Sequence, residues 1–196
     1  MQNEFYLTGL EQDLVCNAEI MHAKTRVIQK VIGLFAGLSE SYVSIASTSL
    51  PPSLTAKSPK ISRGEQYLSL PYVMLDYPRI FGRDDTFAVR TFFWWGHHFS
   101  IHLQLSGLHK NIYQPKLEKA INQGKLADWF WCVNQNEWQH HFEEDNYVSI
   151  QQSFVVLKDQ PSNFLKIAKK IPLHEWNSSA ETLMESFRFL TSIVAG

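Results

Sequence analysis

The sequence predicts an α+β fold: an antiparallel sheet of five or six strands covered by a long N-terminal helix and a C-terminal helix. Three observations predict it. Over residues 8–38 the apolar side chains Leu10, Leu14, Ala18, Met21, Ile28, Ile32 and Phe35 recur at three- and four-residue steps, as on one face of a helix. Residues 70–106 divide into three extended runs separated by turn-forming residues, a β-meander. Near the C-terminus, Ser178-Ser179-Ala180-Glu181 has the capping-box spacing, and Leu183, Phe187, Leu190 and Val194 follow at helical intervals.

In chain order, the first helix is expected to end at Gly37, with a short helix over 39–48. Pro51, Pro52, Ser53, Ser58 and Pro59 then mark a connector over 50–62. It lies inside a single domain of residues 1–196, because the N-terminal helix alone has nothing against which to bury its stripe. The meander comprises 70–80, the turn Gly82-Arg83-Asp84-Asp85, 86–93 and 97–106. A helix over 115–123 with Pro115 in its first turn, a strand over 129–133, a helical turn over 138–145, a strand over 154–158 and a segment over 165–171 that fits an edge strand or a short helix, read as strand because Pro172 stops it, complete the expected order.

Within the meander, a three-residue loop Trp94-Trp95-Gly96 sets Phe93 against His97, Thr91 against Phe99, Val89 against Ile101 and Phe87 against Leu103. One face is then almost wholly apolar. The other carries Ala88, Arg90, Phe92, His98, Ser100, His102 and Gln104, joined by Tyr72, Met74 and Asp76 from the preceding strand. The alternative two-residue loop places Arg90 among Phe92, Phe99, Ile101 and Leu103, where a charge needs a partner.

Composition limits the function classes. At 196 residues with 44% apolar side chains, thirteen Phe, seven Tyr and six Trp, the chain has enough material for a core without staples. A net charge of −1 and one modest basic cluster, Lys158, Lys166, Lys169 and Lys170, diluted by Asp159, argue against a nucleic-acid partner. Cys16 and Cys132 lie far apart in no metal or redox spacing and read as reduced core thiols. No basic residue precedes Lys24, so a secretory signal is not expected. Residues 91–109 lack acidic and basic side chains but contain Gly96 and four histidines, which disfavours a membrane span. A cytoplasmic protein without a membrane partner is the expectation.

The polar sheet face is the first candidate site. Arg90 is expected to anchor a small anionic molecule, with His98 and His102 donating hydrogen bonds and Ser100, Gln104 and Tyr72 alongside. A second reading makes His98 or His102 the general acid or base of an enzyme, with Asp76 as the available carboxylate. The plain structural reading is a solvated outer face of an antiparallel sheet. A third functional reading is a structural or adaptor protein acting through aromatic surface, with Trp94 and Trp95 at the loop tip forming an interface, including a homodimer.

Metal chemistry has little support. His98 and His102 on one strand stand roughly 13 Å apart, too far to share an ion. His140 and Glu144 fall on one face only if 138–145 is helical. The two Glu-x-x-His segments, Glu19 to His22 and Glu137 to His140, need a four-helix bundle that the central strands preclude. No phosphate loop, dinucleotide fingerprint or nucleophile elbow occurs, and no cofactor is expected.

Overall fold

Asn17 divides the N-terminal helical segment into two. α1 (Gly9–Cys16) starts on a capping box between Thr8 and Glu11, and α2 (Ala18–Ser49) starts with the Asn17 side chain accepting from the Glu19 N–H. The computed structural model describes residues 5–151 and 163–196, so the strand expected over 154–158 lies outside the described residues.

α2 runs through Gly33 and Gly37 instead of ending there. Its buried stripe, Ile28, Val31, Phe35, Leu38, Tyr42 and Ala46, continues past Gly37, and burying three more side chains on the sheet outweighs the roughly 1 kcal/mol penalty of a helical glycine. The helix stops where Pro51 forces Leu50 into extended backbone, at φ −114° and ψ 152°. By length and composition α2 is apolar enough to cross a membrane, yet Val31, Phe35 and Tyr42 are fully buried on the sheet. α1 buries nothing: Leu10, Leu14 and Val15 are exposed, and Cys16, expected in the core, faces solvent.

After a single turn, α3 (Pro52–Thr55), come β1 (Lys60–Tyr67), β2 (Leu70–Phe81), β3 (Thr86–Trp94) and β4 (His98–Ser106). β5 (Phe130–Cys132), β6 (Tyr147–Ser149) and β7 (Phe164–Pro172) join them in one antiparallel sheet of seven strands, ordered β1-β2-β3-β4-β7-β5-β6. The count exceeds the expected five or six. β1 was hidden because it is a half-solvated edge strand, Lys60-Ile61-Ser62-Arg63-Gly64-Glu65-Gln66-Tyr67, with no apolar alternation.

The β3–β4 hairpin has a three-residue loop displaced by one position: Trp95-Gly96-His97, with Gly96 at φ +75°. Phe93 pairs with Phe99, Thr91 with Ile101, Val89 with Leu103 and Phe87 with Leu105. Each pairing differs from expectation by two residues. An even shift preserves both faces, so the core and polar faces contain the residues assigned to them.

The apolar face, including Val73, Leu75, Phe87, Val89, Phe93, Phe99, Ile101, Leu103 and Ile167, lies under α2, α4 (Gly107–Asn122) and α5 (Ser179–Ala195). α4 begins eight residues before the expected start and holds Pro115 in its interior. Its entry is fixed by Gly107 at φ +53°, tight against the 84–85 turn, where Asp85 accepts from the Leu108 N–H at 2.6 Å. The Ser178 box does not form. A 3-10 turn, Leu173–Ser178, holds Ser178 in helical backbone, so its hydroxyl donates back to the Glu175 carbonyl instead of capping α5.

Candidate functional site

The opposite sheet face is not solvated. Ser100 is 0% exposed, His102 1%, Gln104 3% and Asp76 5%, because residues 134–146 lie across it as a cover. The 138–145 stretch expected as a helical turn is a run of turns and irregular backbone with no helix, so His140 and Glu144 share no helical face. Among the described residues, no three His, Cys, Asp or Glu side chains converge as a metal site.

Cross-strand register assembles the floor. Asp76 pairs with Arg90, Arg90 with His102, and His102 with Ala168, forming one row across β2, β3, β4 and β7; a second row sets Gln104 beside Lys166. Arg90 therefore lies opposite His102 instead of Ser100. Its guanidinium grips Asp76 in two parallel hydrogen bonds, Nε to Oδ1 at 2.7 Å and Nη2 to Oδ2 at 3.0 Å. Its remaining edge, Nη1, reaches His140 Nε2 at 3.1 Å. Phe81 and Trp138 lie over the guanidinium, with ring centres 5.8 and 5.7 Å from Cζ, and Trp138 is half exposed.

His102 is held on both sides, Nε2 to Ser100 Oγ at 2.8 Å and Nδ1 to the Tyr147 hydroxyl at 2.9 Å. His98 is buried beside Phe142 and Trp94, and its Nε2 has no hydrogen-bond partner among the described residues. Tyr72 is half-buried, stacked on Phe92 and edge-on to Tyr67. Trp94 is buried and stacked on His97, donating Nε1–H to the Tyr67 carbonyl, while Trp95 is half-buried and packs edge-on to Phe93. The loop tip presents Gly96 and His97.

The sequence reading missed Lys166, Tyr67 and Tyr147, and gave His140 only a metal role. Lys166, 1% exposed, bonds the carbonyls of Glu137 at 2.8 Å and Gln139 at 2.6 Å, and lies 3.3 Å from His140 Nδ1. The Tyr67 hydroxyl accepts the N–H groups of His140 and His141 at 2.7 and 3.1 Å and donates to Gln139 Oε1. Two side chains thus pin the cover's backbone. The available signal for Lys166 was alternation in 165–171: Leu165, Ile167 and Ile171 face the core, which sends Lys166 to the polar side.

Burial sets the ionisation of the cluster. His98 is driven down to about 3, chiefly by burial and then by Lys170 and His97. His102 and His140 are held well below the usual imidazole range by burial, then by Lys166 and by neighbouring Arg90 and histidines. The Lys166 amine falls to about 7, mainly through burial. Burial also raises the Cys132 thiol and the Tyr147 phenol. No protein-family model, curated protein sequence or solved structure matches the chain.

Proposed function

We propose that this is a cytoplasmic protein that binds a small anionic molecule on the covered polar face of its sheet, with residues 134–146 as the cover. The observation that carries the reading is the buried Arg90, held in a fixed plane by Asp76 and joined through His140 to a second basic group, Lys166. A sheet face stabilised only for folding is cheaper to cover with apolar side chains, because buried ions and imidazoles lose hydration that their partners replace only in part. Such groups concentrate where chemistry or binding needs them. An entering anion is matched in charge when the amine of Lys166 takes up a proton, and His98 Nε2 is a further group able to engage a ligand.

The test is thermal stabilisation by small carboxylates and by phosphate. A ligand at a hundred times its dissociation constant adds about 2.7 kcal/mol, a shift of several degrees for a chain of this size. Arg90→Lys keeps the charge and loses the planar fork, so the shift should shrink strongly. The Asp76→Asn/Arg90→Gln double variant, which leaves no unpaired buried charge, should lose it. Equal shifts in all three proteins refute the anchoring role of Arg90.

A further inference from the structure

The hydrogen bonds around His140 fix where the protons lie. An arginine guanidinium only donates, so His140 Nε2, 3.1 Å from Arg90 Nη1, accepts with a bare lone pair. The single ring proton is then on Nδ1, which faces Lys166 Nζ at 3.3 Å. An ammonium has no lone pair and would set a third N–H against that proton. A neutral amine fits group for group: two hydrogens go to the Glu137 and Gln139 carbonyls, and one lone pair receives His140 Nδ1–H.

We infer that Lys166 is a neutral, nucleophilic amine in the folded protein, and that it condenses with a small anionic carbonyl compound, such as a 2-oxo acid, to form an imine. The anionic half of this inference rests on the function proposed above; the state of the amine does not. In the step, the Nζ lone pair attacks the carbonyl carbon and the C–N bond forms. The nitrogen gives up one proton and the carbonyl oxygen takes one up as its π bond opens, giving a carbinolamine; a second proton reaches that hydroxyl, the remaining C–O bond breaks to release water, and the nitrogen loses its second proton to leave the imine. Amine and carbonyl give imine and water, with no other reactant. His140 Nδ1–H is the proton donor nearest the amine.

Of the groups facing the amine, Arg90 on β3 disfavours a second positive charge, whereas Cys132 on β5 and Glu137 on the cover favour one, and burial outweighs both. His102 on β4 and His140 on the cover are held neutral and Tyr147 on β6 stays protonated, so none of the three adds a charge beside it. The carbonyls that receive the amine's two hydrogens belong to the cover itself, so lifting residues 137–139 frees the nucleophile.

The experiment treats the native chain at neutral pH with pyruvate and cyanoborohydride, which reduces an imine to a stable secondary amine, and maps modified lysines by peptide mass spectrometry. Lys166 should be labelled on the order of tenfold more than the other lysines, a fraction of the roughly 10³-fold gain in neutral amine that separates a pKa near 7 from the ordinary 10.4. Tyr67→Phe, which removes the acceptor of two cover N–H groups, should raise labelling at Lys166 several-fold and leave the other lysines unchanged. Labelling spread over exposed lysines, with Lys166 untouched in both proteins, overturns the inference. Lactate and acetone separate it from the binding proposal. Arg90-dependent stabilisation by lactate without Lys166 labelling by pyruvate leaves binding standing and removes the imine. Equal Lys166 labelling by acetone and pyruvate, with no lactate shift, keeps the nucleophile and removes the anion.

Discussion

A lysine that is neutral when folded and charged when unfolded makes stability rise with pH where most proteins are level or declining. The perturbation is a change from pH 7 to pH 9, compared between the native chain and Lys166→Met, which keeps the apolar stem and lacks the amine. The folded value of about 7 lies below the ordinary lysine value of 10.5, so the unfolded chain binds more protons throughout this window. Stability is fully present above the unfolded value and is lost as pH falls toward the folded one. Linkage over these two values gives a gain of about 2 kcal/mol between pH 7 and pH 9. Urea unfolding at each pH measures it. Cys132 and the buried tyrosines, all raised, work in the opposite direction from about pH 9 upward and are common to both proteins. A native chain whose stability is flat or falling over this interval, in parallel with the variant, refutes a neutral Lys166.

Other expectations concern the same face and its supports. Asp76→Asn leaves the buried Arg90 without a counter-charge and should cost about 3–5 kcal/mol in urea unfolding; a loss below 1 kcal/mol contradicts the pairing as the anchor of the site. Acid should destabilise the fold, since His98, His102 and His140 are neutral when folded and take up protons when unfolded; stability present above about pH 6.5 is lost below it, with roughly 2 kcal/mol from His98 alone by pH 5. A stability plateau from pH 7 to pH 5 contradicts their burial. Gly107→Ala sets a methyl against Asp85 Oδ1 and the Asp84 carbonyl at positive φ and should lower the melting temperature by several degrees, whereas Gly33→Ala, with open space around it, should raise it slightly.

Much of the fold follows from periodicity. The strands of the meander, the C-terminal helix and the alternation that sorts Asp76, Arg90, His98, Ser100, His102 and Gln104 to one face are all legible in the order of residues, because side-chain direction in a strand depends only on parity. The hairpin pairing itself was off by two residues, and the assignment of side chains to the two faces survived for the same reason. The cover was not legible. Residues 134–146 have no period, and their role depends on contacts with Tyr67 and Lys166 that lie 73 and 29 positions away from their partners in the chain. With no sign of a cover, the polar alternation reads equally well as a wet outer face. The N-terminal stripe illustrates the opposite error: Leu10, Leu14 and Met21 satisfy helical spacing, yet the sheet extends only beneath the later turns, so they remain exposed.

The proton arrangement around Lys166 is most directly tested by the tautomer of His140, read from long-range nitrogen–proton couplings in the imidazole at a pH above the folded value of the amine, about 7. Protonation at Nδ1 with a bare Nε2 is the predicted state, with Arg90 as donor on one side and a neutral Lys166 as acceptor on the other. A ring carrying its proton on Nε2 contradicts it and restores Lys166 to an ordinary ammonium.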